Sequence, residues 1–117
     1  MLKLKTGVNP KGVQPELLLA VQIVTQIYKE YGYDTVITSL FDGKHGAHTL
    51  HQRDGICRAV DFRTKHLHTI DKSLLVRMIQ EALGDSYDVL LEQEGAPNEH
   101  LHVEYDPPAP SAESRPV

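Results

Sequence analysis

Between Pro15 and Tyr31 apolar side chains return every three or four positions, at Leu17, Leu18, Val21, Val24, Tyr28 and Tyr31, the spacing of one stripe along a helix. Pro15 suits a first turn, where its missing amide hydrogen is not needed, and Gly32 follows as a stop, so the pattern predicts a helix over 15–31. The period then changes. Asp34 to Ser39 is short and β-branched, the composition of a strand, and it runs into a loop at 41–46. Residues 43–55 hold no sustained apolar period and read as a long functional loop. Arg58 to Arg63 alternates as a half-buried strand does, with Val60 and Phe62 on one side and Ala59, Asp61 and Arg63 on the other. A second helix is predicted from about Asp71, read as its N-cap, to Leu83. It turns Leu74, Leu75, Met78, Ile79, Ala82 and Leu83 inward and ends at Gly84. Two strands close the pattern, Ser86 to Glu92 and His100 to Tyr105, around a turn that carries Gly95 and Pro97.

This order predicts an α+β domain in which two helices pack on one face of a mostly antiparallel sheet and leave the other face for a site. The segment before Pro15, broken by Gly7, Pro10 and Gly12, reads as an irregular lead-in. Past Asp106 the prolines at 107, 108 and 110 and the scarcity of apolar residues predict a disordered tail, giving one domain over 1–106 and a tail over 107–117.

Composition narrows the function classes. A chain of 117 residues with 40% hydrophobic and 24% charged residues is ordinary for one globular domain. Its net charge of -4 and pI near 5.9 argue against nucleic acid as a partner, since phosphate-backbone binding relies on clustered Lys and Arg. The longest apolar run, Leu17 to Val21, is far short of a bilayer span, and nothing in Met1 to Gly12 resembles a signal peptide. The expectation is a soluble monomer, cytoplasmic as synthesised, with no membrane partner. The single cysteine, Cys57, excludes an internal disulfide.

Histidine changes the picture. Seven occur, with His45, His48, His51, His66 and His68 in the middle of the chain and His100 and His102 near its end. In the last strand the two-residue period puts His100, His102 and Glu104 on one face. Asp61 lies on the polar face of its own strand, beside the small Ala59, so Asp61 and His102 converge if the two strands are neighbours. An Asp and two His satisfy the ligand count of a catalytic zinc site with one open position, and His51 is the nearest histidine upstream of Asp61 to complete it.

The stretches Ile37-Thr38-Ser39, Asp42-Gly43-Lys44-His45, Leu50-His51, Ala59-Val60-Asp61-Phe62-Arg63-Thr64 and Glu99-His100-Leu101-His102-Val103-Glu104-Tyr105 together resemble the zinc D-alanyl-D-alanine metallopeptidases. The likeness is greatest to their small phage and prophage members, the endolysin-type murein peptidases, and runs over roughly residues 15–106. The resemblance implies a fold shared with lysostaphin-type enzymes and the hedgehog signalling domain. It also implies a zinc cofactor and hydrolysis of the stem peptides of peptidoglycan, after release from the cell or from a virion. By position it makes His51, Asp61 and His102 the metal ligands and Glu99 the general base. Lys44 would stand in for the arginine that stabilises the oxyanion, and His100 and Arg63 would support the ligands or touch the substrate.

The family encloses six residues between its first His and the Asp, whereas His51 and Asp61 enclose nine, so His48 and Cys57 stay open as alternatives. On a two-residue period Glu99 turns away from His102, so its role requires it to lie in the bend before the strand. Glu104, on the His102 face, is the alternative base. A zinc-stabilised binding or virion structural module without turnover is the other function this resemblance implies.

Overall fold

The computed structural model describes residues 1–40 and 57–107. Along the chain run β1 (Leu2–Leu4), α1 (Pro15–Glu30), β2 (Thr35–Ser39), β3 (Ala59–Arg63), α2 (Thr69–Leu83), β4 (Tyr87–Glu92) and β5 (His100–Tyr105). The five strands form one sheet in the order β1-β2-β3-β5-β4, parallel between β1 and β2 and antiparallel elsewhere. The α+β class, the two helices and the mostly antiparallel sheet therefore match the hydrophobic pattern.

Each helix buries one stripe. Leu17, Ala20, Val21, Val24, Ile27 and Tyr28 of α1, with Leu75 and Ile79 of α2, meet Ile37, Val60, Phe62, Val89, Leu101 and Val103 of the sheet. Leu18, Tyr31 and Ala82, which the spacing assigned to the inward stripes, are exposed. The α1 face is rotated toward Leu17, Ala20 and Ile27, because a helix of 3.6 residues per turn drifts off a strict three-and-four count. Tyr28 is fully buried and donates its hydroxyl proton to the Arg63 carbonyl, so the largest core side chain leaves no polar atom unpaired.

Two boundaries differ from the sequence reading. The lead-in contains β1, a short exposed strand held by pairing with β2, in which the Lys5 amide donates to the Ile37 carbonyl. The Leu-Lys-Leu alternation here spans only three residues, all of them exposed, too short to be read as a strand without its partner. The second helix is capped at His68, not at Asp71; Asp71 sits in the first turn and accepts a hydrogen bond from the Tyr33 hydroxyl at 2.6 Å. There its negative charge still meets the positive end of the helix. Gly84 ends α2 as expected, at φ 83° and ψ -170°, a conformation open almost only to glycine.

No helix among the described residues is long and apolar enough to cross a membrane. The histidine-rich loop from residue 43 through residue 55, and the tail from residue 108 onward, lie outside the described residues.

Candidate metal centre

Strand register builds the site. Across the antiparallel β3, β5 and β4, Asp61 faces His102 and His102 faces Leu90, while Arg63 faces His100 and His100 faces Glu92. Directly opposed residues share a face. Val60, Phe62, Leu101 and Val103 are thereby committed to the helices, and Asp61, His100, His102 and Glu92 to the opposite face. Ala59, fully buried beside them, leaves room for the larger polar groups.

Four ligand atoms meet there, one each from Asp61, Glu92, His100 and His102, all within 4.8 Å of one another. His102 Nδ1 lies 2.7 Å from Asp61 Oδ1, and His100 Nε2 lies 2.8 Å from Glu92 Oε1. The two crossed distances, His100 Nε2 to Asp61 Oδ1 and His102 Nδ1 to Glu92 Oε1, are both 3.7 Å. Donors around a tetrahedral first-row metal with bonds of about 2.0–2.1 Å stand roughly 3.3–3.5 Å apart, a spacing these distances bracket. The set of two imidazoles and two carboxylates suits such an ion, and small shifts of side chains would accommodate it.

The outer nitrogens of both rings are already engaged. His100 Nδ1 donates to the Asn98 carbonyl at 2.9 Å, and His102 Nε2 donates to Glu104. A histidine fixed through one nitrogen by a carbonyl or carboxylate presents the other in a set direction, the usual support of a metal-binding imidazole. Here the inner nitrogens, Nε2 of His100 and Nδ1 of His102, point into the cluster.

Charge favours a cation in the same place. Burial alone would lower the His102 pKa, but hydrogen bonds to Asp61 and Glu104 outweigh it and raise the value to about 10. His100 is raised too, against its burial, by the Asn98 carbonyl and by the charges of Asp61 and Glu92. Three carboxylates around two imidazoles make a negative site that holds positive charge either as protons on the rings or as a metal ion.

Asp61 and His102 thus come together as the strand alternation required. His100, expected beside the ligands, contributes one of the four converging atoms, and Glu104 is the group that fixes the His102 ring. Arg63 is exposed at the end of β3, lining a cavity together with His100. Glu99 does lie in the bend before β5, yet its carboxylate is not in the cluster. It accepts hydrogen bonds from Thr64 Oγ1, from Lys72 Nζ at 2.7 Å and from the Gly95 amide at 2.9 Å. Burial alone would raise its pKa, but the Gly95 amide, Lys72 and Thr64 outweigh that and lower it to about 2.

Cys57 is fully buried in the core and does not join the cluster. Lys44, His48 and His51 lie outside the described residues. Glu92 was missed by the sequence reading. It was placed at the end of a strand, but only the β4–β5 register sets it opposite His100, and that signal lay in the length of the connecting turn. Comparison with protein-family models, with curated proteins and with solved structures returns no match.

Proposed function

We propose that this chain is a zinc-dependent hydrolase acting on the short peptides of bacterial peptidoglycan, of the carboxypeptidase or endolysin type. The observation that carries the metal is the convergence of Asp61, His100, His102 and Glu92 on the sheet face away from the helices. The peptide substrate rests on the motif resemblance. Zinc, when bound, supplies Lewis acidity that activates water near neutral pH and polarises a carbonyl.

The chain's own residues divide the remaining work. Asp61, His100 and His102, with side chains 12%, 24% and 10% exposed, are the held donors; Glu92, at 41%, stands at the mouth and can leave a coordination position open. Asn98 and Glu104 orient the two imidazoles. Resemblance gives the proton transfer to Glu99, whose three hydrogen bonds make it a poor acceptor. Glu92, beside the cluster and open to water, is the carboxylate better situated for that task. The engagement of Glu99 also favours a second reading, a zinc-stabilised binding module without turnover.

One experiment decides between them. Purified chain is analysed for zinc and assayed for new amino termini released from muropeptides, with and without chelator, alongside Glu92→Gln and Glu99→Gln. The enzyme reading expects chelator-sensitive release, reduced about 10²-fold or more by Glu92→Gln with zinc retained. Zinc and muropeptide binding without release establishes the module, and absence of zinc overturns both.

A further inference from the structure

Beside the metal cluster, and sharing His100 with it, lies a cavity of about 640 Å³ between the end of β3, the residues just after β1 and the β4–β5 turn. Lys5, Arg63 and Lys65 line it. None of these three makes an ion pair with a carboxylate among the described residues, whereas Lys72, nearby on α2, is paired with Glu99. Glu99 is the acidic member of the lining, and its charge is already matched by Lys72 and by the donors of Thr64 and Gly95. The wall therefore presents three uncompensated cations, in a chain whose net charge is -4. Local positive charge against that background is placed, not a by-product of a basic composition.

We infer that this cavity is a binding site for the oxyanion group of a ligand, a carboxylate or a phosphate, held by Arg63, Lys65 and Lys5. Arg63 supplies the planar fork that grips two oxygens at once, and the two lysines add point charges from the flanking segments. Asn98 lines the same cavity, and its side-chain amide makes no hydrogen bond to the described residues, which leaves it available to a bound oxygen. Because His100 forms part of the wall, a ligand anchored by its anionic end has its remainder next to the metal cluster. The cavity requires no metal to be complete, so it stands independently of the hydrolase reading.

The test is a chemical-shift titration of the full chain as purified, at low ionic strength, with glutarate in one series and inorganic phosphate in another. Saturable shifts centred on the amides of Lys65, Asn98 and His100 are expected with at least one of them, and the tighter of the two identifies the ligand group. The pair Arg63→Gln with Lys65→Gln should weaken binding at least tenfold. The pair Lys11→Gln with Lys29→Gln, exposed and not part of the cavity wall, should change it less than twofold. Metal content measured on every sample keeps a failure of the zinc reading distinct from a failure of this one. No saturable binding of either anion, or equal weakening by both pairs, overturns the assignment.

Discussion

Thr64, Lys72 and the Gly95 amide converge on the Glu99 carboxylate from three segments of chain, and Lys72 and Glu99 are both largely buried, at 14% and 3% side-chain exposure. Replacing the anion with an amide leaves the lysine charge without its partner. Glu99→Gln is therefore expected to lose about 2–3 kcal/mol in urea unfolding at neutral pH while retaining its metal. The sign with pH follows from a folded-state pKa of about 2 against an ordinary 4.5. The stabilisation is fully present above pH 4.5 and fades as pH falls toward 2, so the gap between wild type and variant should narrow over that window.

Glu104 acts differently, through the His102 ring. Glu104→Gln should weaken metal binding about 10- to 100-fold in competition with a chromophoric chelator, and His102→Ala should weaken it further. The second nitrogen donor is tested the same way. On the geometry of β5, His100→Ala is expected to lose metal; if it keeps the metal while His51→Ala loses it, His51 is the ligand and His100 its neighbour. At this scale Asp61 and His102 were legible from period-two alternation alone. Glu99 was assigned from its motif, while its actual partners, Lys72 and Thr64, come from a helix and a turn far away in sequence.

At the scale of elements, the β4–β5 hairpin decides the site. Its turn includes Gln93 at φ 56° and Gly95 at φ 80°, and hydrogen bonds from the Ala96 amide to Gln93 and from the Glu99 amide to Ala96 fold it into successive tight bends. The register it imposes sets Glu92 against His100; a slip of one residue would turn both histidines of β5 toward the helices. Element types and most boundaries could be read because apolar residues alternate with chemically active ones along β3 and β5, even though the site face is buried as well. The strand β1 and the N-cap of α2 could not, since they depend on a backbone pairing and on Tyr33 capturing Asp71. Gly84 offers a clean test of backbone conformation. A methyl group added there meets nothing within 4 Å, so any loss in Gly84→Ala is conformational, expected at about 1–3 kcal/mol and measured by thermal or urea unfolding.

Over the whole molecule, the candidate donors come from β3, β4 and β5, so a bound ion would tie together three strands of the sheet. An ion present at 100 times its Kd adds about 2.7 kcal/mol, which for a domain of this size raises Tm by about 10 °C. Calorimetry with zinc and with excess chelator should show that difference, and His102→Ala should abolish it. The strict division of the sheet also bears on how such a chain can change over time. Along β3 and β5 every residue that could carry chemistry alternates with one that holds the helices. Positions 61, 63, 100, 102 and 104 can therefore be varied together while Val60, Phe62, Leu101 and Val103 keep their neighbours. A lineage built on this plan can exchange one reactivity for another without first relearning how to fold.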